Sequence, residues 1–373
     1  MARMQSDLDI QDFVRGCTFM GTGGGGDPKQ GVAWLKAARE EGKEIGWVDR
    51  AEIEDDVWTV CPFLMGSIAP LSPEAKQRMK HLGLTKEAYK SIQAESVRLL
   101  EDYMGVKIGA IVAIELGGSN TPGALAAAAR LGIPAVDGDY TGRAIPEIPQ
   151  TTPYLGGLSL WPISSVDKYG NLCVIKESTG YEMAERLGKF LAAASFGLAA
   201  QAGFLFKGSE MKRVVIPGTL SKCLSIGRSI REAREAGKDP VREIVEELGG
   251  WLLIEGVVSK KEWEDKEGYY WGKHTVTGDG DFKGKRLEIW FKNENHVSWL
   301  NEKPYVTSPD MLIVVDQKTG EPYANSAIAE GQRVAVIGLR AVEQFRSSKG
   351  LAILGPGHFG FDIQYTPIEK QVK

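Results

Sequence analysis

Histidine is scarce in this chain, and the four present, His81, His274, His296 and His358, stand too far apart in sequence to form a paired metal-ligand motif. Neither HExxH nor HxH occurs, so a histidine-rich zinc centre is not expected. The four cysteines, Cys17, Cys61, Cys173 and Cys223, show no paired spacing. That excludes a disulfide framework and a zinc knuckle, and it fits a reducing, cytoplasmic compartment. An excess of basic residues is also missing: 45 Lys and Arg face 49 Asp and Glu, a net charge of -4. A nucleic-acid surface needs concentrated Lys and Arg, so the expected partner is a small molecule. The opening MARMQSDLDI has no apolar core, and no secretory signal is expected from it. Long apolar runs are confined to Phe190–Phe206, where Ser195, Gln201 and many Ala and Gly residues favour a helix buried beside a sheet over a membrane span.

Glycine, by contrast, is concentrated where chemistry could sit. In MGTGGGGDP, Gly21 and the run Gly23, Gly24, Gly25 and Gly26 permit positive φ and close approach of main-chain N–H groups to a ligand or to another backbone. Asp27 caps a helix starting at Pro28 and expected to run to about Glu41. A glycine loop feeding a helix is a candidate anion cradle, although no Lys-Ser/Thr follows and the phosphate loop of nucleotide hydrolases is not matched. A tight structural crossover is the competing explanation.

The stretch Ile111–Glu147 reads as strand, helix, strand. Ile108 to Ile114 is an apolar strand, Glu115 to Asn120 a glycine-broken loop, and Thr121 with Pro122 opens an alanine-rich helix ended by Gly132. A second short strand, Pro134 to Val136, then releases Asp137, Asp139 and Tyr140 into a loop. Such strands are usually parallel, so Glu115 and Asp137 are expected to open onto one crevice. Glu115, Asp137 and Asp139 could serve general acid/base work or hold a divalent cation, and each could equally cap a helix. Asn120 could donate to a substrate carbonyl. Arg143 could clamp a substrate carboxylate or pair with Glu147. Near the end, LGPGHFGFD sets His358 and Asp362 among glycines, with room for a ligand, so that His358 could protonate a leaving group and Asp362 could bind substrate. The dinucleotide fingerprint fails here: GGSNTPG is not GxGxxG, and a nucleotide-binding protein is a remote alternative.

An excursion at 66–85 could cover a pocket or build a subunit contact, and a homo-oligomer is expected. A helix is expected over Tyr181–Ala202. From Trp251 to Ile337 short strands alternate with glycine turns, as in a small sandwich or barrel. The fold class expected is α/β with a second, β-rich domain, divided as 1–165, 166–340 and a segment 341–373 that returns to the site.

Taken together and in order, GTGGGGDP, IELGGSNTPGALAAAARLGIPAVDGDYTGRAIPE, GTLSKCLSIGRSIREAR and GPGHFGFDIQYTPIE resemble the S-methyl thiohydantoin desulfurase family, formerly a domain of unknown function found beside hydantoinase/oxoprolinase genes. In DGDYTGRAIPE, Tyr140 and Thr141 stand where a methionine-containing stretch is usual. The resemblance implies an α/β domain with a mixed sheet joined to an all-β swivelling domain. It also implies hydrolysis at C2 of a hydantoin-like ring with release of a thiol from an S-methylated thiohydantoin. The alternative from another class is a non-catalytic partner subunit of a hydantoinase-type enzyme. No cofactor is required by the sequence; a divalent metal at Glu115, Asp137 and Asp139 is the one option it offers.

Overall fold

Two sheets organise the protein, and a computed structural model describes residues 2–66 and 71–372 of it. The first sheet contains β1 (Ala2–Arg3), β2 (Gly46–Val48), β3 (Trp58–Gly66), β4 (Ile108–Ala113), β5 (Ala135–Asp139), β6 (Ile163–Val166), β7 (Leu172–Ile175), β8 (Leu198–Lys207) and β9 (Ile216–Pro217). Its order is β1-β2-β5-β4-β3-β8-β6-β7, with β9 pairing β5. The inner strands β2, β5, β4 and β3 are mutually parallel, while β8, β6 and β7 add antiparallel on one side and β1 on the other. Parallel neighbours β3 and β4 therefore end on one edge, where open α/β sheets hold their ligands. Because β8 runs against β3, with Leu198 opposite Gly66, the beginning of β8 lies on that same edge.

The second sheet is all antiparallel and curled. It comprises β10 (Trp251–Lys266), β11 (Tyr269–Gly278), β12 (Arg286–Lys292), β13 (Glu294–Leu300), β14 (Lys303–Thr307), β15 (Met311–Asp316) and β16 (Arg333–Leu339), in the order β14-β13-β12-β11-β10-β16-β15. The curl brings β13 back to β15, where the Asn295 amide donates to the Leu312 carbonyl at 2.8 Å. The period-2 rule assigns the faces. Met311, Ile313 and Val315 join a core shared with the helices Asp7–Met20 and Thr219–Glu235, whereas Leu312 and Val314 fill the inside of the curl. The α/β layer and the β-rich part are thus packed through one hydrophobic core. The expected α/β fold with a second, β-rich domain is what the chain adopts. The first sheet draws strands from both sides of residue 165.

Several local expectations are corrected. Phe190–Phe206 is not one buried helix: the helix Tyr181–Ala194 stops, Phe196 and Gly197 take positive φ, and the chain returns as β8. Alanine favours the helix, and pairing with β3 and β6 overrides that preference. β5 extends through Asp139, so Asp137 and Asp139 lie in the strand and not in a loop. The helix after β4 runs from Asn120 to Leu131. Thr121 sits inside it, and its hydroxyl accepts from Gly117 N and donates to the Glu115 carbonyl, so it pins the preceding loop instead of capping the helix. Ser72 caps the helix Pro73–His81, and Ser91 caps the next, Ile92–Met104. Of the expected cover over the site, residues 67–70 lie outside the described residues. Among the described residues no helix is long and apolar enough to cross a membrane.

Candidate functional site

A cavity of about 340 Å³ opens at the ends of β3 and β4. This volume lies within the ~300 to 1,000 Å³ range of small-ligand pockets. Its walls come from distant parts of the chain: Gly25 to Asp27, Phe63 to Gly66, Glu115 with Asn120, Ile145 to Ile148, Glu185 with Lys189, and Asn293 with Glu294.

Glu115 leaves β4 just past its end and is only 4% exposed. Its Oε1 accepts from the Asn120 amide at 2.7 Å, and its Oε2 accepts from Ile145 N at 2.8 Å. Asn120 is itself fixed, since its Oδ1 accepts from Leu64 N at 2.9 Å. Burial raises the Glu115 carboxyl to about 7; the two hydrogen bonds pull it down and the nearby Asp139 charge adds to the rise. Such a carboxyl exchanges a proton near neutrality.

The helix Tyr181–Ala194 supplies an ammonium to the cavity wall. Its buried stripe, Tyr181, Ala184, Glu185, Gly188 and Ala192, is small or aromatic except for Glu185. The Lys189 Nζ lies 3.8 Å from Glu185 Oε1, donates to the carbonyls of Gly66 and Gly268 at 3.3 Å each, and sits 4.1 Å from the centre of the Tyr269 ring. Burial lowers the Lys189 ammonium and raises the Glu185 carboxyl, each against the pull of its neighbour. Glu185 also accepts from Ile148 N and from the Tyr269 hydroxyl, both at 3.0 Å. On the next wall Glu147 pairs with Lys292, and its Oε2 lies 2.5 Å from His358 Nε2. Burial pushes Glu147 up, but the His358 hydrogen bond and the Lys292 charge prevail and hold it near 2.

The glycine loop serves mainly as a close-packed crossover. A Cβ on Gly24 would stand 1.8 Å from Glu294 Oε1, and one on Gly25 2.3 Å from Gly117 Cα. Gly25 N donates to Glu294 Oε1 at 3.2 Å, and the Gly25 carbonyl accepts from Ser119 N and Asn120 N. Gly23 packs on the Asn325 side chain, and of the four consecutive glycines only Gly25 and Gly26 line the cavity. Asp27 caps the helix Pro28–Glu40 through Lys29 N at 3.0 Å and lines the cavity rim.

Five further expected site residues do not line the cavity. Asp137 reaches the helix Thr219–Glu235, where its Oδ1 accepts from Leu220 N and Ser221 N at 3.0 Å each and its Oδ2 from the Ser221 hydroxyl at 2.5 Å. The first-turn N–H groups of a helix lack internal partners, and a carboxylate from the neighbouring strand satisfies them. Asp137→Ala should therefore cost about 0.5 to 2 kcal/mol of stability and leave turnover within twofold, as denaturant titration and initial rates would show. Asp139 is buried and accepts from Thr141 N, the Thr141 hydroxyl and Gly142 N, which shapes the following turn; burial raises it to about 6 against these bonds. Arg143 is buried and donates to Ala144 O, Pro309 O, Thr22 Oγ1 and Asn295 O, so it offers no fork to a substrate and no pair to Glu147. Asp362 is exposed and does not line this cavity. His358 stands one side chain behind the wall, on Glu147. Among the described residues no group of three or more His, Cys, Asp or Glu side chains is set to hold a metal ion.

Sequence reasoning missed Glu185, Lys189, Lys292 and Glu294. A helical wheel would have flagged Glu185, because it stands on the buried stripe. Glu294 carries no such signal, since its neighbours FKNENH read as an ordinary polar strand start.

Residues 8–177 match the S-Me-THD-like N-terminal domain, and residues 179–368 match the S-Me-THD-like C-terminal domain. No curated protein matches the chain. A crystal structure of a protein from Chromobacterium violaceum, a structural genomics target, is similar over 98% of this chain and 99% of that one, with a TM-score of 0.77 and 21% identity. That likeness shows the shared fold. The two matches together span nearly the whole chain, which thus belongs to the S-Me-THD-like family.

Proposed function

We propose that this protein is a hydrolase acting on a small hydantoin-like ring, an S-methylated thiohydantoin in particular, with Glu115 as the base. The observation that carries the reading is a buried carboxyl, oriented by Asn120 and Ile145 and raised to about 7, inside a cavity of small-ligand size. The family match supports the ring chemistry.

In this reading the Glu115 carboxylate takes a proton from water as the water oxygen bonds to C2 of the ring. The C2–S bond then breaks, and sulfur leaves with the electron pair. The departing thiolate takes up the proton held by Glu115, so the carboxylate is regenerated. Rigid orientation by two donors keeps Glu115 placed without further ordering at the moment of reaction. Lys189 contributes fixed positive charge near the reacting ring, where little water screens it.

The test is direct. Purified protein incubated with S-methyl thiohydantoins should release one thiol per hydantoin formed, followed with a thiol reagent and by mass spectrometry. Absence of both products across a panel of ring substituents would sink the hydrolytic reading.

A further inference from the structure

Glu294 is the first residue of β13 and faces the cavity from the β-rich half, while Glu115 faces it from the α/β half. The two carboxyls are treated unequally by their surroundings. Glu115 accepts two hydrogen bonds, from Asn120 and Ile145. Glu294 accepts one, from Gly25 N, through Oε1; its Oε2 is buried and has no hydrogen-bond partner among the described residues. The glycine loop is cut to admit this side chain, because any Cβ at position 24 would overlap Oε1. A buried carboxylate oxygen with no donor is costly, because it has given up its hydration and gained nothing in return. A protonated oxygen there instead needs an acceptor, and nothing described in the protein supplies one.

We infer that Glu294 is a second catalytic residue, a neutral carboxylic acid that donates its proton to the ring nitrogen bonded to C2 as water adds. This rests on the hydrolytic reading above. It also specifies the substrate class: a ring whose nitrogen beside C2 is a bare acceptor, as in a C2=N bond, and not an N–H.

The proton account closes. Water gives one proton to Glu115 and its hydroxyl to C2, while the π pair of C2=N moves to nitrogen and takes the proton of Glu294. When the C2–S bond breaks, the thiolate takes the Glu115 proton and the C2 hydroxyl returns its proton to Glu294 as the carbonyl forms. Both side chains end as they began, with one water consumed and one thiol released. The groups that bear on Glu294 electrostatically are Glu115, Arg143, Lys189 and Tyr269; burial and the Glu115 charge push its carboxyl well up, against the pull of Arg143.

The experiment compares kcat/KM against pH for wild type and Glu294→Gln on an S-methyl thiohydantoin. Wild type should give a bell, with an acidic limb from Glu115 and an alkaline limb from loss of the Glu294 proton. Glu294→Gln should fall by roughly 10²-fold or more, keep the acidic limb and lose the alkaline one. An unchanged alkaline limb, or a wild-type rate, overturns the assignment. Should Glu294→Gln fail to fold, Glu294→Asp keeps the acid but retracts it by one methylene; it should lose at least about tenfold in kcat with both limbs intact, and a wild-type kcat overturns the role. If wild type turns over no ring at all, the hydrolytic reading fails separately, and calorimetry still decides on Glu294. Binding of the S-methyl ring should weaken as the acid ionises and should not do so in Glu294→Gln; equal pH dependence in both proteins rejects it.

Discussion

Glu115→Gln should lower turnover by roughly 10² to 10⁴-fold, the usual contribution of a positioned general base. The wild-type rate should rise with pH through about 7, because the base must be ionised to act. The same variant should change the pH dependence of stability in a direction fixed by linkage. The Glu115 carboxyl titrates at 4.5 when unperturbed and at about 7 when folded, so between these values the folded state holds more protons than the unfolded one. Stability is then greatest below the lower value and declines as pH rises through the higher one, by an amount on the order of 3 kcal/mol for this group. Glu115→Gln should flatten that decline in denaturant titrations between pH 4.5 and 8. An inactive variant that retains the full slope would show that the carboxyl was not the group responsible. Loss of activity together with a flatter stability curve is what removal of a strained functional acid produces.

Arg143→Met should destabilise the fold more than any substitution at Glu115, Asp137 or Glu294, by about 3 to 5 kcal/mol, the cost of removing one partner from a buried charged network. Its guanidinium donates to groups on four separate stretches, at Thr22, Ala144, Asn295 and Pro309. Methionine fills much of the space and satisfies none of the acceptors. Burial lowers the guanidinium only to about 10, so it stays charged at neutral pH. The variant should unfold at clearly lower denaturant concentration. A midpoint equal to that of the wild type would mean that the four acceptors are satisfied by other means and that Arg143 is free for another role.

These two residues show what the sequence discloses and where it stops. Glu115 is legible because an apolar strand ends on it and a glycine-broken loop follows, so its exposure to a crevice comes from local pattern. Arg143 looks like a substrate clamp because guanidinium chemistry is the same whether its acceptors are carboxylates or backbone carbonyls. Two of its three backbone carbonyls, at Asn295 and Pro309, come only with the approach of β13 and the 308–310 turn, more than 150 residues downstream. Asp137 fails for a similar reason: its partners are main-chain donors at 220 and 221. The α/β part and the β-rich part were both apparent from periodicity. The break at Phe196 was not, because an alanine-rich run carries no intrinsic signal for stopping a helix and beginning a strand.

The cavity wall is shared between the two segments that the family matches divide at about residue 178: Glu115, Asn120 and Glu147 on one side, Glu185, Lys189 and Glu294 on the other. Neither segment owns a complete set of proton-exchanging and charged groups. Separating the two segments would therefore take this cavity apart. Enlarging position 24 in the first segment encroaches on Glu294 in the second, and substitutions in either half are judged by what the other half contains.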